Sequence, residues 1–379
     1  MTTEPPPRAP LWGFKSLPSS SRPPTLLESL PLPIVQAPLS GGASTPELTI
    51  AASRAGAFGI LAGGYLTTER LREDIHRVRS STAAAFGVNL FVPGEDSANP
   101  AALRSYAERV RADASRVGAE PGDPKWSDDE WQSKLELVLR ERPAVVSFTF
   151  GCPERGVFDN LRRAGIEAWV TVTEPDEAKL AAEAGADALV VQGFEAGGHR
   201  ASFVDQDGVG EVGLLTLIRL VWRRVQLPLV AAGGICDGYT VAAVLVAGAR
   251  AAQVGSAFLD TLEAGTSAPH REALRSRSRT ALTRAFSGKR ARGIVNSFMA
   301  SNNAEAPAAY PQVHYLTAPM RAQARARGEP GLINLWAGQG YELIEHGVSA
   351  GQVIERMAAE LEEALGAVGG TARRGPRGQ

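Results

Sequence analysis

The chain has 379 residues, 44% hydrophobic and 21% charged, with a formal net charge of −1. That is ample for a large core and unlike a disordered or nucleic-acid-binding composition. Two cysteines exclude a disulfide framework, and five scattered histidines without ligand spacing predict no metal site.

Residues 1–31 are rich in proline and serine and lack a continuous apolar segment. They are expected to be a flexible leader, not a secretory signal. No run reaches roughly 18 unbroken apolar residues, so no membrane span is expected and the expected location is cytoplasmic. Eight short apolar runs then read as buried strands: PIVQAPL (33–39), FGILAG (58–63), FGVNLFV (86–92), AVVSFTF (144–150), EAWVTV (167–172), ALVVQG (188–193), LPLVAAG (227–233) and AAQVGSA (251–257). Most are continuously apolar, as expected of parallel strands covered on both faces.

Helical segments separate the strands. TPELTIAASRAG (45–56) begins at Thr45 as N-cap and stops at Gly56, and TTERLREDIHRVRS (67–80) has a threonine cap and Glu69 in its first turn. EPDEAKLAAEAGA (174–186) carries proline at its start and glycine at its end. Eight strand–helix units within residues 32–264 predict a closed (β/α)8 TIM barrel over an open sheet. Residues 94–143 are too long for one crossover and read as a helical insert with two amphipathic helices. Residues 265–366 are expected to form an appended, mainly helical lobe near the barrel mouth, with SAGQVIERMAAELEEAL (349–365) its clearest helix, and 367–379 a disordered tail.

Three strands run into glycine-rich loops: VVQGFEAGGHRASF, LVAAGGICDG and AAQVGSAF. In such barrels the loops after the last two strands often bind phosphate through backbone N–H groups. Gly233 and Gly234 allow a close backbone approach, and Gly255 and Ser256 add amides and a hydroxyl at a helical start. His199 follows Gly197 and Gly198 at a strand's C-terminal end, the face that carries chemistry in this fold, and histidine titrates near neutrality. Glu195 is either its partner carboxylate or an exposed loop charge. Gln36, Asn89 and Gln192 interrupt apolar strands, so each either caps backbone inside the barrel or meets a polar ligand. A phosphate grip beside a titratable histidine points to a flavin enzyme. Cys152 and Cys236 read as small buried hydrophobes.

With these residues assembled, the chain resembles the nitronate monooxygenase family, formerly called 2-nitropropane dioxygenases. The resemblance runs from about residue 32 to 345 and rests on PIVQAPLSGG, FGVNLFVP, VVQGFEAGGHRASF, LPLVAAGGICDG, AAQVGSAFL, FSGKRARGIVNSFM and LWAGQG. It implies non-covalent FMN at the barrel mouth, held by Asn89, Gln192, Gly197, Gly234, Gln253, Val254, Gly255 and Ser256, and His199 as the catalytic histidine. It further implies oxidation of alkyl nitronates by O2 to a carbonyl compound and nitrite, with His199 removing the α-proton where a neutral nitroalkane is accepted. Ser256 replaces a frequent threonine and Leu39 a frequent methionine. Tyr310 and Tyr315 fall near the pocket-lining tyrosines of some relatives, but their spacing assigns neither.

Two rival functions remain at this level. One is an NAD(P)H-dependent flavin reductase of quinones or enoyl thioesters on the same scaffold; the lack of a GxGxxG motif after a strand leans against a dedicated nucleotide domain. The other is a flavin-free barrel acting on a sugar phosphate. The expected partners are small molecules, with no nucleic acid or membrane, and the chain is expected to be a monomer or homodimer.

Overall fold

The computed structural model describes residues 25–372. In chain order the strands are β1 (Ile34–Gln36), β2 (Phe58–Ala62), β3 (Phe86–Phe91), β4 (Val145–Thr149), β5 (Glu167–Val172), β6 (Ala188–Gln192), β7 (Gly198–His199), β8 (Leu229–Ala232), β9 (Ala251–Val254), β10 (Thr280–Thr283) and β11 (Ala291–Ile294). The helices are α1 (Pro46–Arg54), α2 (Thr68–Ser81), α3 (Pro100–Arg116), α4 (Trp131–Glu141), α5 (Arg155–Arg163), α6 (Pro175–Ala184), α7 (Leu214–Trp222), α8 (Gly238–Ala247), α9 (Ala268–Leu274), α10 (Ser297–Asn302), α11 (Gln312–Arg327) and α12 (Ala350–Ala372).

Strands β1 to β6, β8 and β9 pair in parallel, and β9 closes on β1 with Val35 opposite Gln253. This is the expected (β/α)8 barrel. Side chains alternate along each strand, so the eight continuous apolar runs serve two cores. Phe58, Ile60, Val145, Trp169, Ala188, Val190 and Val230 fill the barrel. Val146, Val170, Leu189 and Val191 face the surrounding helices. Trp169 is wholly buried at the centre, 5.6 Å from Phe58, and its Nε1 donates to Glu167 Oε2 at 3.0 Å. Truncating it to alanine costs about 3–5 kcal/mol.

Local capping follows the sequence signals. Thr45 Oγ1 accepts from Leu48 N, and Thr67 Oγ1 from Arg70 N. α6 begins with Pro175 behind a Glu174–Glu177 capping box and ends at Gly185 with φ +118°.

Three boundaries differ from the sequence expectation. Residues 1–24 of the expected leader lie outside the described residues, but its end is part of the barrel. Leu26–Glu28 form a 3-10 turn, Leu27 is buried with the interior cluster, and Leu26 N donates to Glu167 Oε1 at 2.5 Å. This turn covers apolar interior surface that an open barrel end would expose. Helix α4 packs on α2 and β3 and is therefore an ordinary crossover helix; of the expected insert, α3 is the helix that leaves the ring to pack on α11. Helix α12 packs against α8 and α1, completing the outer ring after β9, so the clearest lobe helix belongs to the barrel. It continues to Ala372, past the expected start of the tail; residues 373–379 lie outside the described residues.

The remaining lobe is not purely helical. β10, β11 and β7 form an antiparallel sheet, with Ala291 opposite His199. The lobe thus recruits the loop after β6 as its third strand. Four-residue and two-residue strands are too short to show a period of two in the sequence. No helix among the described residues is long and apolar enough to cross a membrane.

Candidate active site at the barrel mouth

A cavity of about 320 Å³ opens at the C-terminal ends of the barrel strands. Strand alternation builds its floor. The inward positions above the apolar interior are Asn89, Ser147, Thr171, Gln192 and Gln253, and all five line the cavity. Asn89 Nδ2 donates to Ser147 O, Ser147 Oγ and Thr149 Oγ1 at 3.1, 2.9 and 3.0 Å. Of the sequence-expected cofactor contacts, Asn89, Gln192, Gly197, Gly234, Gln253, Gly255 and Ser256 come together here. Val254 does not: one residue beyond Gln253, its side chain points into the outer core and is wholly buried there. Gln36 is fully buried away from the cavity, its amide bonded to Ala37 O, Ser44, Thr49 and the Ile60 N–H. It satisfies backbone and does not face a ligand.

Gln192 has a first duty in the chain itself. Its Nε2 donates to His199 O at 3.1 Å and its Oε1 accepts from Ala201 N at 2.9 Å, clasping the loop that carries the histidine. Arg200, fully buried, adds a second clasp by donating to Gly193 O at 2.7 Å and Gln192 O at 3.0 Å. Glu195 is not a partner of His199; both its oxygens accept from Leu214 N at 3.0 Å, at the start of α7.

The glycine loops form one wall. Gly233 and Gly234 have φ of +114° and +71°, a region that favours glycine. A Cβ on Gly197 would stand 2.4 Å from Gly338 N, so the segment Trp336–Gly340 can lie against this loop only because residue 197 is glycine. Ser256 Oγ accepts from Gly338 N at 2.9 Å, fixing the same segment from the other side. The hydroxyls of Ser40 and Thr266 are buried in the cavity wall without a hydrogen-bond partner.

His199 stands on β7 between this wall and the lobe. Its Nε2 lies 2.8 Å from Ser287 Oγ, and the Ser287 hydroxyl donates to Lys289 O at 3.1 Å. A hydroxyl has one proton, so with that proton on Lys289 O its oxygen accepts from His199 Nε2–H. The neutral ring is then the Nε2–H tautomer, with the lone pair on Nδ1. Burial, reinforced by the Lys289 ammonium, depresses the His199 pKa to about 3, so the ring is neutral across the physiological range. Burial likewise lowers the Lys289 amine to about 8. Phe150, Tyr310 and Trp336 surround the imidazole edge-on, with ring centroids 5.7, 5.6 and 5.6 Å away.

Backbone in the left-handed region supports this aromatic wall. Tyr65 and Phe150 have φ of +66° and +78°, costly for bulky residues. Tyr65 N donates to Asp129 Oδ1 at 2.9 Å, and Asp129 pairs with the buried Lys134 at 2.8 Å. Tyr65 stacks on His314 at 4.0 Å and accepts from Tyr310 OH at 2.9 Å. Tyr310 therefore packs against the His199 ring, and together with Tyr315 it lines a neighbouring cavity of about 380 Å³. Sequence reasoning gave no role to Tyr65, Phe150, Ser287, His314, Arg321 or Trp336. They come from five separate segments; Ser287 and Trp336 lie in the family segments FSGKRARGIVNSFM and LWAGQG, and the other four sit in no motif.

The nitronate monooxygenase family model matches residues 24–360. A nitronate monooxygenase from Pseudomonas aeruginosa is 40% identical over 350 residues, covering 89% of this chain and 98% of that protein. A probable nitronate monooxygenase from Bacillus subtilis is 36% identical, covering 88% and 96%. Among solved structures, a nitroalkane oxidase from Streptomyces ansochromogenes is 46% identical with a TM-score of 0.88 over 90% of this chain and 99% of that one. FabK from Thermotoga maritima is similar at 26% identity and a TM-score of 0.70, covering 91% and 97%. The chain belongs to the nitronate monooxygenase family.

Proposed function

We propose that the chain is an FMN-dependent, cytoplasmic oxidoreductase that oxidises alkyl nitronates, and nitroalkanes after deprotonation, with O2 to a carbonyl compound and nitrite. The observation that carries this reading is a partly buried histidine, held at Nε2 by Ser287, that faces the same cavity as a backbone-lined anion cradle. The residues present fit FMN. Gly233, Gly234, Gly255 and Ser256 would hold its phosphate, Asn89 and Gln253 the polar edge of its ring, and Leu39 a ring face. The hydroxyls of Ser40 and Thr266, without a partner among the described residues, support a polar guest at the cavity wall. When bound, FMN accepts electrons from the substrate and passes them to O2.

The chain's own residues do the rest. For a neutral nitroalkane, His199 Nδ1 removes the α-proton while Ser287 Oγ holds the ring through Nε2–H. A base whose conjugate acid has a pKa of about 3 is free at every working pH, and the nitronate formed beside it compensates the imidazolium charge. For a nitronate already formed, His199 orients the anion. Phe150, Tyr310 and Trp336 exclude water around the ring.

An NAD(P)H-dependent flavin reductase on the same scaffold is the competing reading. One anaerobic experiment separates the two. The purified protein should be yellow, release FMN on heating, and have its flavin reduced by a nitronate. Rapid reduction by NAD(P)H with no response to nitronate would replace the oxidase reading; a colourless protein that cannot be reconstituted with FMN would remove both.

A further inference from the structure

Arg321 and Arg325 project from successive turns of α11 into the cavity wall. Arg321 is 94% buried (6% exposed), and the cavity-lining Asn334 accepts from both guanidinium groups, from Arg321 Nη1 at 3.4 Å and Arg325 Nη2 at 2.6 Å. The remaining donors of Arg321 go to Thr317 Oγ1 at 3.0 Å and His314 O at 2.7 Å. All these acceptors are neutral. Among the described residues neither arginine forms an ion pair, whereas Arg271, Arg275, Arg284 and Arg290 in the same lobe each hold a carboxylate. A buried cation beside a second, partly buried one, with no counter-ion among the described residues, is costly unless an anion joins them.

Burial and the neighbouring Arg325 lower the Arg321 pKa only to about 9, so the charge is present at neutral pH, and it is felt at His199. Arg321 is therefore electrically part of the site that holds the histidine. On the proposed reaction, two small anions must cross this cavity: the nitronate entering and nitrite leaving. Both carry one negative charge over two oxygens on one nitrogen, the geometry that a guanidinium fork matches with paired N–H donors.

We propose that Arg321 and Arg325, with Asn334 bracing both, form the subsite that captures the anionic O–N–O group of the nitronate and of nitrite. It is distinct from the glycine-lined phosphate cradle and rests on the nitronate-oxidising reading. It selects the ionised form of the substrate, because a neutral nitroalkane presents the same oxygens without the charge.

The test uses the FMN-loaded enzyme with R321M, R321K and R325M, 2-nitropropane in its neutral and ionised forms, and sodium nitrite as a binding probe by equilibrium dialysis. R321M should weaken nitrite binding about tenfold or more, the scale of a lost hydrogen bond to a charged group. Its KM for the nitronate should rise at least tenfold more than its KM for the neutral form. R321K, which keeps the charge, should recover most of both effects, and R325M should show the same pattern in weaker form. R325M preserves the Arg321 contacts to His314 and Thr317, so it carries the test if R321M fails to fold. Unchanged nitrite affinity in both methionine variants, or equal KM increases for neutral and ionised substrate, would overturn the subsite. Loss of FMN from R321M would also overturn it, by assigning the pair to the cofactor's phosphate. Nitrite dialysis needs no turnover: arginine-dependent nitrite binding in a wild type inert to nitronate would overturn the reaction and keep the subsite.

Discussion

The two walls of the cavity are made of different material. The wall at the ends of β8 and β9 is mostly backbone: Gly233, Gly234, Gly255 and the start of a 3-10 turn at Ser256. The opposing wall is mostly side chain: His314, Arg321 and Trp336 from the lobe, with His199 pulled onto the lobe sheet by β11 and Tyr310 packed against its ring. The first wall suits a guest shared by many enzymes, because N–H groups recognise phosphate whatever else is attached. The second wall suits one chemistry, because it sets the charge and packing around a single imidazole. Substitutions should therefore fail differently on the two sides: cofactor loss on one, and altered turnover with the cofactor retained on the other.

The largest effect is expected from Gly255→Asp. A carboxylate in the phosphate cradle should leave purified protein without flavin, measured as the 450 nm band per protein, while the fold survives. Gly255→Ala is the milder control, since its Cβ would meet the tip of Leu39 at 3.3 Å and Ala37 Cβ at 3.6 Å. Full flavin in the aspartate variant would move the phosphate elsewhere and erase the contrast between the walls.

On the other side, His199→Asn should keep full flavin and lose turnover of neutral nitroalkanes on the order of a hundredfold or more, the usual scale for a general base. Turnover of pre-formed nitronates should fall less. Equal losses on both substrates would make His199 an anion-orienting residue and not a base.

Ser287→Ala sharpens the same point with a smaller effect. Without the hydroxyl, Nε2–H loses its acceptor and the ring its fixed tautomer. A loss of about tenfold in kcat on neutral nitroalkane is expected, with flavin content unchanged and Ser287→Thr restoring most of it. An alanine variant with wild-type kcat would show that burial alone orients the ring.

The weakest but broadest signal is in pH. The folded state holds His199 at about 3 against 6.5 in the unfolded chain, and His270 at about 4, both through burial. The unfolded chain takes up these protons first, so stability present above about pH 6.5 is lost as pH falls toward 4 and then 3. Urea titrations at pH 7, 5.5 and 4.5 should show this decline in the flavin-free protein. The decline should be shallower in His199→Asn; identical slopes would mean that His199 is not held neutral by the fold.

Much of this was legible in the sequence. Eight continuous apolar runs with capped helices between them specify strands covered on both faces, and eight such units close into a barrel. The glycines after β8 were legible because a positive φ leaves a local trace in residue type, and Gly255 because a strand running into glycine and serine marks a helical start. His199 was legible because it sits beside paired glycines at a strand end. Strand alternation also predicts that Gln253 and Val254 cannot both face inward, although the family resemblance had placed both at the cofactor.

Only tertiary structure decided the rest. Helix α12 carries the apolar stripe of any amphipathic helix, and its sequence does not say that it fills the gap between α8 and α1 and so closes the barrel's outer ring. The tautomer of His199 depends on Ser287, 88 residues away. The shape of the aromatic wall depends on Asp129 holding the backbone of Tyr65 across 64 residues. A local residue pattern reports on neighbours within a turn or a strand, whereas a site built from converging segments is specified by the packing that brings them together. That is why the cofactor wall could be read from the chain while the chemistry facing it could not.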